Sequence, residues 1–359
     1  MVQLYAKIAL MEIVELDRAE HNKFVGSAID PQILQTFEWG EVKALSGWKP
    51  LRLGIREKGK IVASAAILQR KLPYINRSIF YIPRGPIFDL KRPDLFEFLL
   101  KAIKAEARKR RVILLKIDPE IDENNVDLLT KYGFRPQKKQ VQPRATIFID
   151  LKPGADRILK NCEEKTRYNI RLSIKKSVKV EERSDAAGVQ IFYDLYKVTA
   201  RRDEFLIHPK KYYDAIEEQL NRKGMGKIFV ACYENQPVAA VWIFMLGKRI
   251  WYMYGASNND YRNMMPNHAL HWEVIQWAIK EGYELYDLWG IPANPGPDHP
   301  LFGVYRFKKG FNGELKKFVG AMDLVYDPIL YWFFEKALTW YKNLRSLLTK
   351  RRIEDSLGE

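Results

Sequence analysis

The chain has 359 residues, 47% of them hydrophobic and 13% aromatic, so it is long enough for two globular domains and too apolar to be disordered. Its 60 Lys and Arg against 44 Asp and Glu give a formal net charge of +16, which favours a polyanionic partner, although a lysine-rich, thermally adapted surface gives the same surplus. The only cysteines, Cys162 and Cys232, exclude a disulfide framework and a cysteine-based zinc site.

The first twenty residues mix acidic side chains into short apolar pieces, which is not the pattern of a secretory signal. No stretch approaches the roughly 20 apolar residues that cross a bilayer. We therefore expect a cytoplasmic protein.

The first predicted elements form a hairpin, "PLRLGIREKGKIVASAAILQRKL", with a turn at residues 57–60. The strand "SIFYIPRGPI", a helix from about Pro93 to Arg110 and a buried strand, "VILLKID", follow in that order. The next helix, predicted over "DRILKNCEEKTRYNIRLSIKKSV", carries cations every four residues on one face.

The same order of elements then recurs. A hairpin, "KIFVACYENQPVAAVWIFMLGKR", is followed by the strand "RIWYMYGAS", a helix from about Pro266 to Gly282 and the strand "YELYDLWG". Equivalent residues, such as Gly85 and Gly255 or Asp118 and Asp287, lie a nearly constant distance apart. This repetition predicts two mixed α/β domains related by duplication, each a twisted mixed sheet flanked by helices.

The chain ends in "DPILYWFFEKALTWYKNLRSLLTKRR", where Pro328 opens a predicted amphipathic helix. Its apolar stripe contains Ile329, Trp332, Phe333, Trp340, Leu344 and Leu347. We expect this stripe to pack on the first domain, with attraction to an anionic membrane as the alternative. The first domain is accordingly predicted as residues 1–150 plus about 320–359, and the second as residues 151–319.

The element order hairpin, strand, loop, helix, strand is similar to the GNAT acyltransferase core. In acetyl-CoA enzymes the strand-to-helix turn carries glycines whose N–H groups hold the cofactor pyrophosphate. The corresponding segment here, "NNDYRNMMPNHAL", has Arg262, Met264, Met265 and Pro266 instead of glycines. The methionines equally suit an ordinary helix start, and whether Arg262 and Asn267 contact a phosphate or cap the helix stays open.

Several segments, in order from about residue 32 to 320, resemble the FemA, FemB and FemX peptidoglycan aminoacyltransferases, which are built from two GNAT-like domains. They are "LQTFEWGEVKALSGWKPLRL", "YIPRGPIFD", "DPEI", "EEKTRYNIRLSIKKSVKV", "LYKVTARRDEFLIHPKKYY", "YMYGASNNDYRNMMPNHALHWEVIQWA" and "FGVYRFKKGFNGE". The resemblance implies transfer of an amino acid from aminoacyl-tRNA to an amine on the stem peptide of a peptidoglycan precursor. A tRNA-linked donor needs no CoA cradle, so no cofactor is predicted.

Aminolysis of an ester needs a group that stabilises the oxyanion and satisfies the departing ribose oxygen. "YRFKKGFNG" supplies Lys308 and Lys309 between aromatic residues, and Gly310 allows close backbone approach. The family's lysine near the reaction centre matches Lys308, whereas a solvated turn is the ordinary interpretation of a lysine pair. Asp118, at the end of a buried strand, is predicted to orient or deprotonate the acceptor amine, with Glu120 second and a turn role as the alternative.

Binding of a precursor that carries phosphates and carboxylates calls for cations beside aromatic rings. Trp39 and Lys43 share one helix face, and the family's precursor-binding lysine matches Lys43. The family's phosphate-binding arginine matches Arg201 or Arg202, with Arg202 slightly favoured. Further substrate contacts are predicted for Tyr212, Tyr213, Tyr254 and Lys309, although the tyrosines suit packing on a sheet equally well.

RNA phosphates are predicted to contact the basic helix face of Arg167, Arg171, Lys175 and Lys176, for which a solvated helix is the alternative. The five histidines assemble no metal site, and there is no Walker loop, so no metal and no ATP are predicted. The segment from Tyr213 to Lys227 is too short for the helical arm of some family members, which indicates the armless, FemX-like type. The expected partners are aminoacyl-tRNA, a UDP-linked or lipid-linked precursor and the inner face of the plasma membrane, and no DNA.

A CoA-dependent N-acyltransferase and a non-catalytic RNA-binding module are the rival functions. The first needs the missing glycine loop, and the second has no use for "YRFKKGF". The amino acid transferred, the acceptor diamino acid and the oligomeric state are left undetermined by the sequence.

Overall fold

Two units, each with its own sheet, make up the chain in this computed structural model, which describes residues 11–336. Within those residues the first unit contains 11–142 and 318–336, and the second contains 143–317. Strands, in chain order, are β1 (Met11–Glu15), β2 (Lys49–Glu57), β3 (Lys60–Lys71), β4 (Ser78–Ile82), β5 (Ile87–Phe88), β6 (Val112–Ile117), β7 (Arg135–Pro136), β8 (Ala145–Asp150), β9 (Lys179–Glu182), β10 (Gly226–Tyr233), β11 (Gln236–Leu246), β12 (Arg249–Ser257), β13 (Leu285–Asp287), β14 (Glu314–Lys317) and β15 (Met322–Val325).

Helices flank both sheets. In chain order they are α1 (Arg18–Ser27), α2 (Phe37–Ala44), α3 (Pro93–Lys109), α4 (Asp127–Thr130), α5 (Ala155–Asn161), α6 (Glu164–Lys175), α7 (Ala186–Arg202), α8 (Lys210–Gln219), α9 (Pro266–Lys280), α10 (Phe302–Lys309) and α11, described over residues 328–336. The two predicted hairpins are β2–β3 and β10–β11, and the two predicted long helices are α3 and α9, each beginning at a proline in its first turn.

The two sheets have the same central arrangement. The first has the order β1-β2-β3-β4-β6-β15-β7, with β5 beside β3, and the second has the order β14-β8-β13-β12-β11-β10-β9. Each contains one parallel pair, β4 with β6 and β12 with β13, and each pair is joined by a crossover that contains the long helix. The prediction of two GNAT-like mixed sheets flanked by helices is confirmed.

Apolar residues four apart along each crossover helix form the face that packs on its sheet. Leu95, Leu99 and Ile103 of α3 are buried in the first core, and Leu270, Val274 and Ala278 of α9 occupy the second. Full burial of an aliphatic side chain stabilises the fold by roughly 1.5–3 kcal/mol, so these stripes fix each helix against the strands whose ends bear the candidate residues.

Two features differ from the prediction. β8, expected in the first domain, pairs with β13 and β14 and so belongs to the second sheet. The single helix expected over residues 156–178 is two helices, α5 and α6, because Cys162 and Glu163 adopt extended backbone between them.

The described part of the C-terminal helix does not bury the stripe that we expected to pack on the first domain. Ile329 is 71% exposed, Trp332 56% and Phe333 58%. Contact with the unit is made instead through Tyr331, whose hydroxyl donates to Asp323 Oδ2 at 3.1 Å. The remainder of that predicted stripe, Trp340, Leu344 and Leu347, lies outside the described residues.

Candidate active site

Lys308 lies in the last turn of α10 with only 5% of its surface exposed. Its ammonium donates to the backbone carbonyls of Gly290 at 2.7 Å and Trp289 at 3.3 Å, and Nζ lies 5.2 Å from the ring centre of Tyr252. Burial lowers its pKa from 10.5 to about 7, and the nearby carboxylate of Asp287 opposes that change only in part. Lys308 is therefore a lysine whose charged and neutral forms are both accessible near neutral pH.

The segment that carries these two carbonyls is fixed by Asp287, at the end of β13. Its carboxylate accepts hydrogen bonds from the backbone N–H of Trp289 at 2.7 Å and from Arg249 at 2.6 Å, and also from the hydroxyl of Thr146. Arg249 and Asp287 are both buried, so the pair is shielded from salt. Asp287 thus holds the backbone that orients Lys308, a role that the sequence indicated only through its equivalence to Asp118.

His271 and its aromatic neighbours pack beside Lys308. The His271 ring lies 4.5 Å from Tyr252 and 5.3 Å from Phe307, centre to centre, and its Nδ1 is 2.9 Å from the Tyr286 hydroxyl. Burial, followed by the charge of Lys308, lowers the pKa of His271 to about 3, so the imidazole stays neutral. Sequence reasoning considered this histidine only as a metal ligand and missed its place beside Lys308.

Close backbone approach at Gly310 anchors α10 against α6. A Cβ at that position would lie 2.2 Å from the Thr166 hydroxyl, and the Gly310 carbonyl accepts the N–H of Glu163 at 2.9 Å. The expected close approach is therefore present, although Gly310 has helical φ and makes no left-handed turn. Lys309 next to it is exposed, with its Nζ 5.9 Å from the ring centre of Tyr305.

In the first unit, Asp118 is fully buried directly after β6. Its two oxygens accept the Tyr81 hydroxyl and the backbone N–H of Arg84, both at 2.7 Å. Burial raises the pKa of Asp118, and the charge of Arg84 opposes the rise. Arg84 Nε also lies 3.8 Å from Glu120 Oε1, so the two predicted carboxylates share one arginine.

Trp39 and Lys43 lie on α2 of the same unit, as their spacing predicts. The ring of Trp39 is buried, and Lys43 Nζ lies 4.9 Å from its centre. The turn that leads into α2 contacts the strand end near Asp118, because the Gln35 amide donates to the Pro83 carbonyl at 2.6 Å. The Trp39 ring therefore holds the Lys43 ammonium at a fixed place on the first unit.

The two candidate arginines at the end of α7 have different surroundings. Arg202 is half-buried, donates to Asp203 at 2.7 and 2.8 Å, and contacts the Ser257 carbonyl at 3.1 Å. Arg201 is exposed, and its guanidinium has no hydrogen bond or ion pair within residues 11–336. The structure therefore gives Arg202 an anchored guanidinium and Arg201 an accessible one.

The three candidate tyrosines belong to an aromatic cluster between α7, α8 and β12. Tyr213 is 1% exposed, and its ring centre lies 6.0 Å from that of Tyr254 and 5.5 Å from that of Tyr212. His208 stacks on Tyr212 with 4.0 Å between ring centres. Tyr212, which is 5% exposed, and Tyr213 are both buried, as packing predicts, whereas Tyr254 is half-buried.

One residue of the predicted RNA-binding face has a partner within the fold. Arg167 turns back to the end of α5, where its guanidinium donates to the carbonyls of Lys160 at 3.1 Å and Cys162, satisfying helix-end acceptors. The guanidinium of Arg167 is therefore engaged within the fold, and its contact with RNA stays a prediction. Arg171, Lys175 and Lys176 are exposed and remain on that face.

The turn before α9 has Met264 and Met265 half-buried, with Arg262 and Asn263 exposed. Met265 has φ 58° and immediately precedes Pro266, the first residue of α9. The bulky side chains occupy the place where a pyrophosphate cradle requires glycine. Across residues 11–336, no group of three or more His, Cys, Asp or Glu side chains could hold a metal ion, and no helix in that range is long and apolar enough to cross a membrane.

Comparison with known proteins decides the family. The FemAB family profile matches residues 16–133, 129–232 and 216–338, which together contain every candidate residue described above. This chain belongs to the FemAB family. The predicted membership and the predicted enzyme class, aminoacyltransferase, are confirmed.

FemAB relatives match nearly the whole chain. The lipid II:glycine glycyltransferase of Staphylococcus epidermidis is 26% identical over 418 aligned positions, which cover 96% of this chain and 99% of that protein. The enzyme of the same name from Staphylococcus aureus strain USA300 is 25% identical over 423 positions, with the same coverage. Because this chain has only 359 residues, both relatives contain insertions that it lacks.

Solved structures give the same fold. The crystal structure of FemX has a TM-score of 0.84 and 23% identity, covering 90% of this chain and all of the other. A tandem GNAT protein from the clavulanic acid biosynthesis pathway has a TM-score of 0.51 and 11% identity, covering 88% and 98%. Only residues 220–225 join α8 to β10, so the armless, FemX-like prediction is confirmed.

Proposed function

We propose that this FemAB protein transfers an amino acid from aminoacyl-tRNA to the side-chain amine of the stem peptide of a lipid-linked peptidoglycan precursor. The curated relatives are named for lipid II and glycine, and they align with this chain over nearly their full length. Those names support the acceptor class, and the basic surplus of the chain suits a tRNA donor.

The observation that carries the proposal is the buried Lys308 with a pKa near 7. A lysine removed from water, without a carboxylate in hydrogen-bond contact, is costly to the fold and is expected where chemistry requires it. Two backbone carbonyls and the Tyr252 ring hold its Nζ in one place.

The reaction forms a C–N bond to the acceptor amine and breaks the ester C–O bond to the tRNA ribose. The amine must lose a proton, and the ribose oxygen must gain one. As a cation, Lys308 stabilises the oxyanion and donates a proton to the leaving oxygen; as a neutral amine, it accepts the proton of the attacking nitrogen. A pKa near the working pH makes both steps accessible to one group.

Substrate recognition is assigned to the remaining candidates. Lys43, supported by Trp39, and the accessible Arg201 with the anchored Arg202 are proposed to bind phosphates and carboxylates of the precursor. Tyr254 and Lys309 are kept as further substrate contacts, while the buried Tyr212 and Tyr213 serve chiefly to pack Tyr254. Arg171, Lys175 and Lys176 are proposed to contact tRNA phosphates. Asp118 is kept as a candidate residue of the first unit, where it is fully buried and both its oxygens accept hydrogen bonds.

A transfer assay with three donors tests the function. Purified protein is given labelled aminoacyl-tRNA, the same tRNA after ribonuclease treatment, or labelled acetyl-CoA, together with a precursor that has a free side-chain amine. We expect product only with intact aminoacyl-tRNA. Product with acetyl-CoA alone would make the chain a CoA-dependent acyltransferase, and tRNA binding without product from any donor would indicate an RNA-binding module.

Variants separate catalysis from binding. Lys308→Ala is expected to lower kcat by a factor of about 100 or more, in the range for loss of one oxyanion-stabilising group, with little change in acceptor KM. Lys43→Ala is expected to raise acceptor KM with a smaller effect on kcat. Lys280→Ala, an exposed lysine at the far end of α9, is the matched control. Full activity of Lys308→Ala would remove the proposed chemistry even if the transfer itself is observed.

A further inference from the structure

We propose that the first unit docks on the surface of an anionic phospholipid bilayer through a face built from the β3–β4 connection, the end of α3 and helix α11. This docking face consists of four cations and of five exposed apolar residues on the segments that adjoin them along the chain. The cations are Arg77, Lys104, Arg108 and Arg111, and the apolar residues are Tyr74, Ile75, Ile329, Trp332 and Phe333. The inference rests on the proposed function for its purpose, because a lipid-linked acceptor lies in such a bilayer.

The four cations line one cavity of about 780 Å³. Lys104 and Arg108 project from the last turns of α3, whereas Arg77 and Arg111 precede β4 and β6. Within residues 11–336, Lys104, Arg108 and Arg111 have no ion-pair partner. The one carboxylate that lines the cavity, Asp327, accepts the N–H of Leu330 at 3.0 Å and so caps the start of α11. The cavity therefore presents a net positive charge that the described fold does not neutralise.

The basic surface continues beyond this cavity. Arg111 also lines a second cavity, of about 740 Å³, together with Lys49, Arg70, Lys71 and Lys109. Each basic residue close to an anionic leaflet contributes on the order of 1 kcal/mol of attraction. A continuous group of this size is suited to a planar anionic surface that several cations contact at once.

Exposed apolar side chains lie on the two segments that adjoin the cavity residues Arg77 and Asp327 along the chain. Tyr74, at the tip of the β3–β4 connection, is fully exposed, and Ile75 next to it is 47% exposed. Ile329, Trp332 and Phe333 share one side of α11, which begins directly after the cavity residue Asp327.

The exposed apolar residues favour a bilayer over RNA as the partner of this face. The cations would attract a nucleic acid backbone equally well, but Ile75 and Ile329 gain nothing from a phosphate chain. In a bilayer they enter the boundary between headgroups and acyl chains, where tryptophan and tyrosine are also favoured. Lys336, whose Nζ lies 5.8 Å from the Trp332 ring centre, can extend its stem along that ring towards the headgroups.

The docking face leaves the other edge of the first unit uncovered. Arg111 precedes β6, and Asp118 follows it. A strand of that length spans about 20 Å, so contact of Arg111 with headgroups does not cover the Asp118 edge.

Vesicle co-sedimentation tests the docking face. Vesicles of mixed phosphatidylglycerol and phosphatidylcholine are compared with pure phosphatidylcholine, at low and at physiological salt. The charge variant combines Lys104→Ala, Arg108→Ala and Arg111→Asn; asparagine is chosen because Arg111 has φ 52°, which asparagine tolerates. The apolar variant combines Trp332→Ser and Phe333→Ser. The matched control, Arg171→Ala with Lys175→Ala and Lys176→Ala, removes the same charge from α6 in the second unit.

We expect the native protein to bind the anionic vesicles and not the neutral ones. The charge variant should bind at least about tenfold more weakly and the apolar variant at least about threefold, while the control stays within about twofold. Binding of tRNA should show the reverse pattern, reduced in the control and retained in the charge variant. Unchanged thermal unfolding of each variant shows that the fold is intact.

Three results would overturn the inference. The first is that the native protein does not bind anionic vesicles at low salt. The second is that the control loses as much vesicle binding as the charge variant, which indicates general charge attraction. The third is that the charge variant loses tRNA binding and keeps vesicle binding, which makes the face an RNA surface.

A transfer assay keeps failure of docking distinct from failure of the proposed function. The apolar variant should transfer normally to a water-soluble acceptor and more slowly to one embedded in vesicles. Vesicle binding by a protein that transfers to no acceptor removes the function alone, and transfer without vesicle binding removes the docking alone.

Discussion

Replacing Lys308 by methionine is expected to stabilise the second unit near neutral pH while removing the group proposed to carry the reaction. The lysine is 5% exposed, and burial lowers its pKa from 10.5 to about 7. Methionine has a similar length and no charge, so it fills the same space without the cost of burying an ammonium. A gain in stability with a loss of activity is the usual relation at a functional site.

The fall in the pKa of Lys308 from 10.5 to about 7 sets the size of the expected change in stability. Each unit corresponds to ~1.4 kcal/mol, so burial of the charged form costs about 5 kcal/mol at a pH well below 7. The variant leaves the carbonyls of Trp289 and Gly290 without this donor, and each loss costs about 1–3 kcal/mol. The net gain is therefore expected to be at most about 3 kcal/mol.

The pH dependence is sharper, because the lost hydrogen bonds do not titrate. The folded pKa lies below the unfolded value, so between pH 7 and 10.5 the unfolded chain binds the additional proton. The stability of the native protein consequently rises through this window by up to ~1.4 kcal/mol per pH unit relative to the variant. The advantage of Lys308→Met should be largest below pH 7 and, being at most about 3 kcal/mol there, should be lost by about pH 9.

The measurement is urea denaturation of both proteins from about pH 6 to pH 9, with amide hydrogen exchange in β11 and β12 reporting on the second unit. Lys309→Met is the matched control, because it makes the same substitution at the neighbouring, exposed lysine. A constant difference for Lys308→Met across this range would show that Lys308 keeps an ordinary pKa and would refute the argument from burial.

The remaining predictions concern single contacts. Asp118→Asn should lower the free energy of unfolding by about 1–3 kcal/mol, measured by urea denaturation, because its amide NH₂ would face a hydrogen-bond donor. Gly310→Ala should lower the free energy of unfolding by about 1–3 kcal/mol, because the new Cβ would lie 2.2 Å from the Thr166 hydroxyl. Adding Thr166→Ala removes that hydroxyl and should restore most of the lost stability. If stability does not recover, the backbone itself is displaced. Arg167→Ala should lower the free energy of unfolding by about 0.5–2 kcal/mol and have little effect on tRNA affinity. Arg171→Ala should instead lower tRNA affinity. In titrations at several salt concentrations, it should also reduce the slope of log affinity against log salt concentration by about one.

Local pattern was sufficient for most of the fold. The alternation of β2, β3, β10 and β11 and the apolar spacing of α3 and α9 are short-range properties, so both copies of the GNAT-like core were predicted with their connections. The two parallel pairs follow, since a strand, a crossover helix and a second strand pack in few ways. The boundary at β8 could not be obtained in this way, because the sheet that a strand joins depends on distant partners.

The candidate site was predictable only in part. The motif around Lys308 pointed to the residue, and the repeat pointed to Asp118 and Asp287, because these signals lie in the sequence itself. His271, Tyr252 and their contacts with Lys308 come from α9, β12 and α10, which are far apart along the chain. No local pattern reports which side chains meet across a sheet.

The sequence by itself determined the elements, their duplication and the residue types available for chemistry, because periodicity and motif are local. Only the tertiary structure decided what those residues experience: that Lys308 is buried enough for its pKa to fall, that Arg167 is used to satisfy the end of α5, and that Trp332 and Phe333 face solvent. Burial, partner and exposure are properties of neighbours that are distant along the chain, and those neighbours are set by packing.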